Sequence, residues 1–213
     1  MMEINKSNPT MSNLLFLCIR NRVRSVFSEL FARDTFKTMQ GDLSHKIMVQ
    51  SAGFFPKEVK AFLDDLNVTD PDPFYGCDMS TQVRKLLREK GIAVPDVWQS
   101  KCVSFEMVKN ADLIVVSLPE QKKELAELYP DYQQNMVTLK EIAKWEGAAV
   151  SEDASDAFKQ DHIWEYWEEN PIHVSKTIEE VEMLLTMAIP RIVKRLIDKP
   201  DENDGCLGQV TSV

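Results

Sequence analysis

Four short apolar runs punctuate the chain: LLFLC (14–18), KIMVQSA (46–52), ADLIVVS (111–117) and NMVTL (135–139). Each has the length and composition of a buried strand. Between them apolar residues recur at helical spacing, over about 24–36, over 79–90 with Gly91 as a C-terminal stop, and over 120–129 with a stop near Pro130. A last amphipathic stretch, TIEEVEMLLTMAIPRIVKRLI (177–197), opens with a capping Thr and an acidic first turn, and Pro190 inside it is expected to kink or divide the helix. Strands alternating with helices predict an α/β fold, with a four-stranded parallel sheet joined by right-handed crossovers and covered by helices on both faces. Residues 1–12 lack such a pattern and read as a disordered lead-in, with Met11 an alternative start. The polar, breaker-rich 199–213 read as a disordered tail, leaving a single domain over 13–198.

Composition narrows the function classes. The 213 residues are 44% hydrophobic, enough for one sizeable core. With 34 acidic against 25 basic residues the net charge is −9, which repels nucleic acid and anionic membranes, so neither is expected as a partner. No apolar run approaches the roughly 18 residues that span a bilayer. The first dozen residues lack a signal-peptide pattern, so a cytoplasmic location is expected. Cys18, Cys77, Cys102 and Cys206 form no CxxC pair, and His45, His162 and His173 show no ligand spacing. Reduced thiols, surface histidines, no metal and no cofactor are the expectation.

The first strand runs directly into CIRNRVRS (18–25), in which five residues separate Cys18 from Arg24, and then into a helix starting at Arg24 or Ser25. A loop between the carboxyl end of a strand and a helix N-terminus directs backbone N–H groups and the positive end of the helix dipole at one point, which suits an anion such as phosphate. A thiol in that position is also near the guanidinium groups of Arg20, Arg22 and Arg24, so the thiolate is expected to dominate at neutral pH. Arg24 offers two parallel donors to a phosphoryl group, a geometry Lys lacks.

The chain resembles the low-molecular-weight protein tyrosine phosphatases from Leu14 to about Leu196. The resemblance rests on LLFLCIRNRVRSVFSELF (14–31), on QSAG (50–53), on VRKLLREKGI (83–92) and on NADLIVVS (110–117). It implies a flavodoxin-like, three-layer fold with Cys18 as nucleophile, a cysteinyl-phosphate intermediate and Arg24 as transition-state clamp. The amides of Ile19, Arg20, Asn21, Arg22, Val23 and Arg24 become the phosphate donors. Asn21 corresponds to a loop residue in a left-handed turn, and Ser25 to the hydroxyl that hydrogen-bonds the thiolate. The implied substrates are phosphorylated proteins or small phosphoesters. Three positions depart from the family pattern: Arg20 stands for a loop Gly, Val23 for a second loop Cys, and Val26 for a Pro.

The family takes its leaving-group proton from an Asp in a loop before the last helix. In VSEDASDAFKQD (150–161) Asp156 matches best, with Asp153 close behind, and Asp72 in DPDPFYG (70–76) is a competitor at a different place in the chain. Two segments, 56–76 and 159–176, read as insertions; Trp164 and Trp167 share a helical face in the second. Phe54, Phe55, Phe74 and Tyr75 are candidates to wall the pocket. Two other readings remain open: an arsenate reductase on the same fold, and a catalytically weak phospho-binding regulatory protein.

Overall fold

The computed structural model describes residues 11–57, 75–144 and 170–197. Four strands, β1 (Ser12–Cys18), β2 (Ile47–Gly53), β3 (Leu113–Val116) and β4 (Met136–Thr138), form one parallel sheet in the order β2-β1-β3-β4. Leu14 to Cys18 of the central strand are all buried, as expected for a parallel strand covered on both faces.

Six helices are described: α1 (Arg24–Thr38), α2 (Thr81–Glu89), α3 (Phe105–Asn110), α4 (Pro119–Leu128), α5 (Leu139–Ala143) and α6 (Pro171–Ile197). Alternate residues of β1 serve opposite cores. Leu14 and Phe16 meet Val26, Phe27 and Leu30 of α1 and Ile178 and Leu185 of α6, whereas Leu15 and Leu17 meet Val108 of α3 and Leu125 of α4. The result is the three-layer α/β fold expected from the alternation of apolar runs. The chain leaves β1 for β2 on one side and returns to β3 on the other, so the carboxyl end of β1 lies at the switch point where such sheets hold their ligands.

Two helix ends illustrate how local chemistry sets these boundaries. At the end of α2, Gly91 takes φ 73°, and Ile92 N–H bonds Leu87 O while Gly91 N–H bonds Arg88 O. This is a Schellman closure, which needs a left-handed residue just past the helix. At the start of α6, Asn170 Oδ1 accepts from the amides of Ile172 (3.0 Å) and His173 (3.3 Å), with Pro171 as the first helical residue. The helix therefore begins six residues before the Thr177 expected from its capping pattern, because Asn-Pro is a good N-terminal pair that comes earlier in the chain. Pro190 does not divide α6. An interior proline costs about 3 kcal/mol. Burial of Val174, Ile178, Val181, Leu184, Leu185, Ile189, Ile192 and Leu196 outweighs it, at roughly 1.5–3 kcal/mol for each fully buried aliphatic side chain. Among the described residues no helix is long and apolar enough to cross a membrane.

Candidate active site

Cys18 ends β1 in register with Gly53, and α1 begins six residues later at Arg24. The N-cap of α1 is Val23, whose side chain cannot accept a hydrogen bond, and the first turn carries no acidic residue. The opening amides of α1 are thus left to an outside acceptor, which is the arrangement an anion site requires. Asn21 takes φ 52°, the left-handed conformation that Asn tolerates better than most residues.

Segments distant in sequence fasten the loop backbone. Cys18 O accepts from Phe54 N–H (2.8 Å), Arg22 O from Ser80 N–H (3.1 Å) and Asn21 O from the Trp98 indole Nε1–H (3.4 Å). The Arg22 Nε–H donates to Asp78 O at 2.8 Å. Such external ties hold a cradle in place before ligand arrives.

Side chains then link the thiol to the interior. Cys18 Sγ and Ser25 Oγ are 3.0 Å apart. The Asn21 Nδ2 donates to Ser25 Oγ (3.0 Å) and to Ser51 Oγ (2.8 Å), Ser51 Oγ donates to Glu29 Oε2 (2.6 Å), and Glu29 Oε1 is paired with Arg33. At the other end Lys101 N–H donates to Asn21 Oδ1 (3.2 Å). Burial raises the Glu29 pKa above its ordinary value, more than Arg33, Ser51 and Lys101 lower it.

Ser25 is not the cap of α1, since its hydroxyl faces the thiol. Ile19, Arg20 and Val23 are buried with Cys18, whereas Arg22 and Arg24 are half-buried. The burial of Arg20, at 5% exposure, is unusual for an arginine and differs from the loop glycine that the resemblance implied. Tyr75 lies beside the loop: a Cβ added to Gly53 would stand 2.7 Å from both the Tyr75 ring and Ile19 O. Close approach, rather than backbone conformation, explains that glycine. Phe55 packs edge-on to Tyr75, with ring centroids 6.4 Å apart, while Phe54 belongs to the core. Asp156, Asp153, Asp72, Phe74, Trp164 and Trp167 lie outside the described residues.

Ser51, Glu29, Trp98 and the Lys101 amide complete the site without having been assigned roles from sequence. The signal for Glu29 was its place four residues after Ser25 in LLFLCIRNRVRSVFSELF (14–31), where the family that the chain resembles also carries a Glu. Cys102 bridges to Gly53 on the side away from Cys18. Two strand spacings put the Cys18 and Cys102 Cα atoms roughly 9–10 Å apart, beyond the roughly 7 Å a disulfide spans. Among the described residues no group of three His, Cys, Asp or Glu is placed to hold a metal.

No protein-family model and no curated protein matches the chain in sequence. Solved structures match it in shape. A low-molecular-weight protein tyrosine phosphatase from T. tengcongensis aligns with 84% of this chain and 99% of its own, at 23% identity and a TM-score of 0.59. The chain has the fold of the low-molecular-weight protein tyrosine phosphatases. The same fold in the YwlE arginine phosphatase from Geobacillus stearothermophilus covers 89% of this chain and 97% of that one, at 17% identity and a TM-score of 0.60. A YwlE mutant with a phosphorylated active-site serine covers 85% and 96%, at 19% identity and a TM-score of 0.57. On this phosphatase fold Cys18 sits at the carboxyl end of the central strand, where the loop enters the first helix.

Proposed function

We propose that the chain is a cysteine-dependent phosphatase that hydrolyses phosphate monoesters, phosphotyrosine in proteins foremost, in the cytoplasm and without a cofactor. The observation that carries this reading is the Cys18 thiol at the uncapped N-terminus of α1, 3.0 Å from the Ser25 hydroxyl. In the proposed reaction the Cys18 thiolate attacks phosphorus; the S–P bond forms as the P–O bond to the leaving group breaks. The loop amides from Ile19 to Arg24 and the Arg24 guanidinium hold the equatorial oxygens, and Ser25 donates to the thiolate whenever it is the leaving group. Asp156 protonates the departing oxygen. Water then cleaves the S–P bond, releasing inorganic phosphate and restoring the thiolate.

The roughly 9–10 Å between Cys18 and Cys102 gives an arsenate-reducing thiol relay no direct route between them, so hydrolysis is the better reading. Among the structural neighbours are both a tyrosine and an arginine phosphatase, and the substrate assay therefore carries two arms, an aryl phosphate and phosphoarginine. The wild type is expected to hydrolyse the aryl phosphate, and Cys18→Ser to lose turnover while still binding vanadate. Hydrolysis of phosphoarginine alone would move the assignment to N–P bonds. Turnover surviving in Cys18→Ser would remove the nucleophile assignment, and binding without any turnover would favour the phospho-binding alternative. Asp156→Asn is expected to lower kcat by roughly 10² to 10⁴ for basic leaving groups and less for activated ones. Asp153→Asn and Asp72→Asn decide whether one of the competitors holds that role.

A further inference from the structure

The turn that leads into α2 is built around an ion pair. The Arg84 side chain, only 15% exposed, donates through Nη2 to both carboxylate oxygens of Asp78 (2.6 and 2.9 Å) and through Nη1 to Pro95 O (2.8 Å). One planar guanidinium thus joins the chain entering α2 to the chain leaving it, a task that needs donors in a fixed fork. The Asp78 carboxylate also accepts from Met79 N–H at 2.8 Å. The main chain of the turn is engaged with the phosphate loop instead. Asp78 O accepts from Arg22 Nε–H (2.8 Å), and Ser80 N–H donates to Arg22 O (3.1 Å). Two bonds of opposite direction therefore hold one loop residue by its side chain and by its backbone. An ion pair adds little to stability where one partner is as exposed as Asp78, at 58%. The fork geometry serves a different end: with the carboxylate held, the Asp78 carbonyl and the Ser80 amide are aimed at Arg22 before any ligand arrives.

We propose that Arg84 is a positioning residue for the phosphate loop: acting through Asp78, it fixes Arg22 and keeps the loop amides on either side of it in their anion-binding arrangement. The Arg84–Asp78 pair carries no net charge, so it reaches the anion through geometry and not through potential. That gives the proposal a sign. Removing the Asp78 carboxylate deletes a negative charge beside an anion site, which by electrostatics alone tightens anion binding. Loosening the turn weakens it. The proposal rests on the reading of the loop from Cys18 to Ser25 as an anion cradle, but its test needs no turnover.

The test is the affinity of the folded full-length protein for inorganic phosphate at neutral pH. It is read as the phosphate concentration that half-protects Cys18 from iodoacetamide, with the Cys18 peptide followed by mass spectrometry. Asp78→Ala and Arg84→Ala are each expected to weaken phosphate binding about 3- to 10-fold, the size of one lost hydrogen bond. The double variant, which leaves the net charge as it was, should bind no more weakly than the weaker single one, since both residues act through one turn. Arg84→Lys keeps the charge but not the fork, and should fall between wild type and Arg84→Ala. Tighter or unchanged binding in Asp78→Ala overturns the proposal; tighter binding is what loss of a negative charge alone produces. Losses that multiply in the double variant overturn it equally. So does a lowered urea midpoint in Arg84→Ala with wild-type phosphate affinity, which would make the pair an ordinary surface brace. Should Arg84→Ala fail to fold, Asp78→Ala and Arg84→Lys decide, and wild-type affinity in both ends the proposal. A wild type that binds phosphate and shows these losses, but hydrolyses neither an aryl phosphate nor phosphoarginine, would sink the phosphatase reading alone.

Discussion

Two strand-to-helix junctions lie at the carboxyl end of the sheet and are finished in opposite ways. Where β4 meets α5, Thr138 Oγ1 accepts from Glu141 N–H while Glu141 Oε2 accepts from Thr138 N–H, a capping box that satisfies the helix start from within. Where β1 meets α1, the N-cap is Val23 and five residues of loop precede the helix. A helix N-terminus at the carboxyl end of a strand is thus common to both, and is not by itself a binding site. What separates them is whether the chain consumes its own donors or leaves them for a ligand.

The comparison is broken most severely by removing the group that answers the ligand at the open junction. Arg24→Lys is expected to lower kcat by roughly 10² to 10³, the usual cost of losing an oriented transition-state donor. Steady-state hydrolysis of an aryl phosphate measures it, and a change below threefold would deny Arg24 the clamp. Next comes Asn21. Asn21→Ala suffers twice, through the left-handed backbone, at about 1–2 kcal/mol, and through lost donors to Ser25 and Ser51. Asn21→Gly restores the backbone alone. Denaturant midpoints should place glycine above alanine in stability, while both lose activity.

These two predictions also show what was readable in advance. The loop from Cys18 to Ser25 was legible because its cysteine, arginines and serine lie within eight consecutive residues. The four strands were legible from their apolar runs, since a strand buried on both faces has little else in it. The path from Asn21 to Ser51 and Glu29 was not, because it joins positions 30 and 22 residues apart that meet only once β2 is in register with β1. Trp98 and Lys101 are hidden for the same reason, arriving from a segment about 80 positions downstream. The short α3 was missed because six residues hold too few turns to show a period.

At the closed junction the expected effect is smaller and purely structural. Thr138→Ala should cost about 1 kcal/mol of stability, the typical worth of an N-cap, and leave hydrolysis at the wild-type rate. Urea unfolding and the same aryl phosphate assay check it together. The smallest effect concerns pH, and here the two junctions take opposite signs. Glu29 is raised by burial, so the stability it contributes is full below the ordinary 4.5 and is lost as pH rises through its folded value. For Glu141 burial is outweighed by the Lys122 ammonium and the Thr138 bonds, leaving it lowered; its contribution is present above 4.5 and is lost as pH falls through its folded value. Unfolding followed across pH should show Glu29→Gln removing a decline on the way up from acid, and Glu141→Gln flattening the decline at the acid end. Interchanged signs would mean that the two environments have been misassigned.

The central position of β1 also governs the order in which the reactive thiol is assembled. Leu14 pairs with Val49 on one side and with Leu113 on the other. Closing the longer of those loops costs only about 0.9 kcal/mol more by ideal-chain scaling, yet parallel pairing over such separations is intrinsically slow. The βαβ unit of β1, α1 and β2 already contains Cys18, Ser25, Ser51 and Glu29, whereas Trp98 and Lys101 lie outside it, in the segment that leads to α3 and β3. The rate at which Cys18 acquires its native reactivity during refolding is therefore expected to follow docking of the second half of the sheet, β3 and β4.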